Sequence, residues 1–99
     1  MTTNNSYPIN YTDAELRNLV EEFLIQQKSE FSLKSVCSHV LYWAMEDGRM
    51  AKPQGILLGV KELQPSDQER VRRMLESIVH DGRIVAIPGE KTMYKWVMR

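Results

Sequence analysis

The stretch from Ser66 to Arg99 limits this chain more than any other part of it. Val71, Met74, Leu75, Ile78 and Val79 recur at helical spacing, so they form one apolar stripe. Ser66 with Glu69 three residues later has the pattern of a capping box at the start of that helix. Asp81-Gly82 ends it, because glycine tolerates the left-handed conformation that closes many helices. Arg83–Ile87 and Thr92–Met98 then flank Pro88-Gly89, a pair suited to the central positions of a type II turn. Tyr94, Trp96 and Met98 alternate with Met93, Lys95 and Val97, so one face of the second strand can pack on helices. A core-facing helix running straight into a two-stranded hairpin predicts an α+β fold.

Two earlier helices supply what the hairpin rests on. Thr12 and Glu15 form a capping box, and Leu16, Leu19, Val20, Phe23 and Leu24 follow on one stripe. Phe31-Ser32-Leu33 reads as a brief extended segment, short enough to be a small first strand. Ser32 or Ser35 can cap the second helix, which carries Val36, Cys37, Val40, Leu41, Ala44 and Met45 and stops near Asp47-Gly48. Tyr42 and Trp43 lie towards its other side, so either a neighbouring segment or a partner covers Trp43. The glycine-bracketed run Ile56-Leu57-Leu58 is the candidate neighbour. If it does not fold back on Trp43, these four residues form an exposed patch for protein contact.

Ninety-nine residues suffice for one domain with one core. The expected division is a disordered leader over 1–10 and a folded domain over 11–99. No apolar run is long enough to span a bilayer. The amino-terminal residues have neither the basic start nor the apolar core of a secretory signal. An intracellular protein is therefore expected. Cys37 is the only cysteine, which excludes an intrachain disulfide and suits a small buried residue in a reducing compartment.

The net charge is zero but unevenly spread. Residues 1–48 hold three Lys/Arg against seven Asp/Glu, whereas residues 49–99 hold ten against six. The second half is thus the one that would face an anion. His39 and His80, with one cysteine, fall short of a zinc site, and no metal or cofactor is expected. His80 beside Asp81 does not make a catalytic dyad, since successive helical residues point about 100° apart. Gly55-x-x-x-Gly59 lacks the lysine and strand of a phosphate loop. A non-enzyme is expected.

Val71-Arg72-Arg73-Met74-Leu75-Glu76-Ser77-Ile78-Val79-His80-Asp81-Gly82-Arg83-Ile84 resembles the last helix and first wing strand of the winged-helix superfamily. The likeness spans nearly the whole chain and implies a three-helix bundle with a carboxy-terminal β-hairpin wing. A narrower one covers about twenty residues. Ser77–Ile84 with Met93-Tyr94-Lys95 is similar to the winged-helix repeats of a TFIIE-like RNA polymerase III subunit. Phe31-Ser32 with Val36-Cys37, and Gly59-Val60-Lys61-Glu62-Leu63, resemble it too. That subunit belongs to an initiation subcomplex that helps open promoters. Two departures stand. The connection from Met45 to Gly59 is longer than a tight helix-turn-helix allows, and the cysteine cluster that follows the repeats is absent, so no iron–sulfur site carries over.

The resemblance implies a non-enzymatic module in transcription, touching duplex DNA, polymerase-complex proteins, or both, through the third helix and wing. Its location would be the nucleus if the polymerase likeness holds, and otherwise the cytoplasm. Arg70, Arg72, Arg73, Lys91 and Lys95 are the candidate phosphate contacts, with Ser77 and His80 nearest the bases. On this view, joint replacement of Arg72 and Arg73 abolishes duplex binding. Opposing it, Glu69, Glu76 and Asp67 sit on or near the same helix face and repel phosphates. The alternatives are a solvated face of i,i+4 pairs such as Glu69–Arg73, a winged helix used only for protein contact through Trp43 and Ile56–Leu58, and a small phage or bacterial regulator working as a homodimer.

Overall fold

The computed structural model describes residues 8–50 and 62–97. Among them the chain forms three helices and three strands, in the order α1 (Asp13–Gln26), β1 (Phe31–Ser32), α2 (Leu33–Glu46), α3 (Pro65–His80), β2 (Ile84–Ile87) and β3 (Met93–Trp96). The strands make one antiparallel sheet in the order β1-β3-β2. It is a small α+β fold, compatible with a winged helix.

Both early caps form as their residues require. The Thr12 hydroxyl accepts from the Glu15 N–H at 3.2 Å while the Glu15 carboxylate accepts from the Thr12 N–H at 2.9 Å. Ser32, not Ser35, caps α2, its hydroxyl accepting from the Ser35 N–H at 3.0 Å. The third cap differs from expectation. Ser66 lies inside α3, whose N-cap is Gln64 with no side-chain cap bond, and Pro65 occupies the first helical position. Proline lacks an N–H to satisfy and its φ is already helical, so the helix starts there. Glu69 pairs with arginines instead of capping.

The three stripes meet in one core of Leu16, Val20, Leu24, Val36, Val40, Val71, Leu75 and Ile78, each fully buried. Phe23, Met45, Met74 and Val79 sit partly buried against it. Ile84 and Tyr94 enter from the sheet. The Tyr94 ring stacks on Phe31 with centroids 5.8 Å apart, which joins β1, the hairpin and the helices. In register, Ser32 pairs with Met93 and Ala86 with Tyr94. Phe31-Ser32 is therefore the short first strand, and Val85 and Lys95 point outwards.

Two boundaries move. Ile9 is 7% exposed and bridges to Met50, so packed chain begins before residue 11. Five residues, Pro88 to Thr92, separate the hairpin strands. Gly89 has φ of 157°, far from the roughly +80° of a type II turn. The Asp47-Gly48 and Asp81-Gly82 stops are as expected, with glycine φ values of 66° and 82°.

Candidate nucleic-acid interface

α3 and the hairpin bring the expected contact residues onto connected elements, but their arginines are engaged within the fold. Arg70 donates to the Tyr11 carbonyl at 2.9 Å and to Asp13 Oδ1 at 3.0 Å. It also pairs with Asp67, whose carboxylate is buried and accepts the Ile9 N–H at 3.0 Å. Arg70 thus pins the segment before α1 to α3. Sequence reasoning missed this, because no local pattern couples residues 57 to 59 apart.

Arg72 lies between two carboxylates, Glu69 one turn before it and Glu76 one turn after it. Its Nε donates to Glu69 Oε1 at 2.8 Å, and its two terminal nitrogens reach Glu69 and Glu76. Arg73 donates to the same Glu69 at 3.2 Å. The Arg72 guanidinium, helped by Arg73, lowers the Glu69 carboxyl to about 2, so Glu69 stays ionised at any ordinary pH. The face of α3 is accordingly charge-compensated by i,i+3 and i,i+4 pairs. Ser77 and His80 are exposed on its last turns.

The cations divide by type. Each of the six described arginines, at positions 17, 49, 70, 72, 73 and 83, makes a salt bridge. None of the four described lysines, Lys28, Lys34, Lys91 and Lys95, makes one among the described residues, and all four are exposed. They border two clefts. One, of about 630 Å³, lies between the start of α2, the start of α3 and the hairpin tip, with Lys34, Lys91, Ser35, Ser38 and Gln68 among its walls. The other, of about 330 Å³, is lined by Lys28, Lys95 and Trp96. Glu30 lines both.

The apolar candidate is placed in part. Trp43 is 36% exposed and meets Tyr42, 53% exposed, edge to face at 5.3 Å. The expected packing of Ile56, Leu57 and Leu58 on Trp43 lies outside the described residues. Cys37 is buried and desolvation raises its thiol to about 11, which leaves it protonated and unreactive. No group of three or more potential metal ligands occurs among the described residues. No helix of the described residues is long and apolar enough to cross a membrane.

His39 is held between α1 and α2 with its ring against Phe23 at 5.4 Å, and its Nε2 is buried without a hydrogen-bond partner among the described residues. Burial lowers its pKa from 6.5, opposed by the Glu22 charge and the Leu19 backbone. The unfolded chain therefore binds the proton more readily than the folded one. Stability is full above pH 6.5 and falls as the pH drops below it. Urea unfolding at pH 7.5 and 5.5 should show this loss in the native chain and a flatter response in His39→Gln. Equal pH dependence in the two would remove His39 as the cause.

Comparison with protein-family models, curated proteins and solved structures returns no match.

Proposed function

We propose that the chain is a non-enzymatic winged-helix module acting in transcription, where it contacts duplex DNA through the hairpin and the exposed end of α3. One observation carries this reading. A helix with Ser77 and His80 exposed on its last turns leads directly into a hairpin bearing Lys91 and Lys95, cations that make no salt bridge among the described residues. Such lysines suit phosphate oxygens, which fix orientation without reading sequence, while Ser77 and His80 are the groups nearest base edges. The polymerase setting, with its protein partners, rests on the resemblance of Ser77–Ile84 and Met93–Lys95 alone.

The exposed Tyr42–Trp43 pair favours a second reading, docking on protein through α2. Amphipathic aromatic rings are common anchors at protein interfaces. Salt separates the two. Neutralising about four phosphates should weaken duplex binding roughly a hundredfold between about 50 and 200 mM salt. Fluorescence anisotropy of a labelled duplex measures this directly. Binding that is absent at the lower salt would leave the protein-docking reading.

A further inference from the structure

We infer that the nucleic-acid contact runs along the edge where β1 meets the hairpin, on Lys28, Lys34, Lys91 and Lys95, and not across the arginines of α3. This inference rests on the proposed DNA-binding reading and names the surface that would serve it. A cation can meet a phosphate at little cost only if it has no carboxylate to leave. Arg72 pairs with Glu69 and Glu76, and Arg73 pairs with Glu69, so a phosphate approaching either must displace a carboxylate and then face the charge left beside it. Arg70 is further from availability, since releasing it would also free the Tyr11 carbonyl and Asp13. The lysines carry no such obligation among the described residues.

Their placement makes them one surface. Lys34 and Lys91 border the larger cleft, Lys28 and Lys95 the smaller, and Glu30 at the start of β1 lines both. The larger cleft adds the side chains of Ser35, Ser38 and Gln68, neutral groups able to hydrogen-bond phosphate or sugar oxygens. The clefts thus offer two pairs of cations along one polyanion. Lysine suits this task because its ammonium acts as a mobile point charge with no fixed geometry to satisfy. Two carboxylates oppose it: Glu30, between the clefts, and Glu62, at the wall of the larger one. Glu30 is the element that limits affinity. The chemistry recognised is the phosphodiester backbone, which both a duplex and a single strand present.

Three double variants test the assignment, each removing the same two charges from the whole chain: Lys34→Ala with Lys91→Ala, Lys28→Ala with Lys95→Ala, and Arg72→Ala with Arg73→Ala. Anisotropy is read against salt for a labelled duplex and for a labelled single strand of equal length, with thermal unfolding as the check of fold. Each lysine double should lower the slope of log affinity against log salt by about 1.8 for duplex, or about 1.4 for a single strand. The arginine double should leave the slope within about half a unit on either probe. Glu30→Gln should tighten binding about two- to fivefold. The strand type that shows the larger lysine effect is the form recognised. A slope lost in the arginine double and kept in both lysine doubles overturns the inference while the DNA-binding reading stands. Native chain that binds neither probe overturns both.

Discussion

Tyr94→Ala should destabilise the domain by about 3–5 kcal/mol, the cost of emptying an aromatic site in a packed core. Tyr94 is 2% exposed, and its ring stacks on Phe31 where β1, the hairpin and the helical core meet. A domain of this size has roughly 5–15 kcal/mol of stability in total, so the variant stands close to unfolding. Urea titration followed by far-ultraviolet dichroism measures the loss. Tyr94→Phe keeps the ring and its stack on Phe31, and should lose less than about 1 kcal/mol. A cost below about 1 kcal/mol for alanine would mean that the hairpin does not seat in the core. The third helix would then lose its companion element, and the proposed contact surface with it.

The second large effect is expected at Asp67. Its carboxylate is 5% exposed and accepts both the Ile9 N–H and an Arg70 guanidinium N–H. Asp67→Ala leaves that backbone donor buried without a partner and Arg70 short of one of its anions. A buried pair broken on one side costs about 3–5 kcal/mol. Arg70 retains Asp13 and is about a third exposed, so the lower end, near 3 kcal/mol, applies here. Asp67→Asn retains an oxygen for Ile9 and should recover about half of the loss. Hydrogen exchange at the Ile9 amide gives an independent reading, since its protection depends on this one acceptor. Unchanged exchange in the alanine variant would show that Ile9 is held by packing alone.

What the sequence made legible follows from the range of each interaction. The capping box at Thr12, the glycine stops at Gly48 and Gly82, and the three apolar stripes are short-range patterns, and all appear as read. Phe31-Ser32 was legible as a strand because the segment is brief, apolar and next to a helix cap. Ser66 misled because its spacing to Glu69 matches a capping box, while Pro65 is a helix starter in its own right. The hold of Asp67 on Ile9, 58 residues away, lies beyond the reach of any local pattern. A similar separation hid Arg70, which reads as a surface cation until Tyr11 and Asp13 are placed beside it. Arg73 was legible both ways: the i,i+4 pair with Glu69 was visible in the spacing, and the pair forms. Lys28 and Lys34 carried no signal, since neither belongs to the helix or hairpin that the resemblance singles out. Only the fold brings them to the clefts that Lys91 and Lys95 share.

The hairpin is bolted to the first helix from two sides. Arg83 grips both oxygens of Glu21, at 2.5 and 2.9 Å, and lies over the Trp96 ring, whose indole N–H donates to the Leu24 carbonyl at 3.0 Å. Many ligand-gripping ribbons sway until a target arrives and lose affinity to the entropy of being stilled. Here the ribbon's base is set before any encounter. Recognition on the proposed surface should therefore be rigid-body: the shape of the target, and not adaptation of the hairpin, would decide what fits.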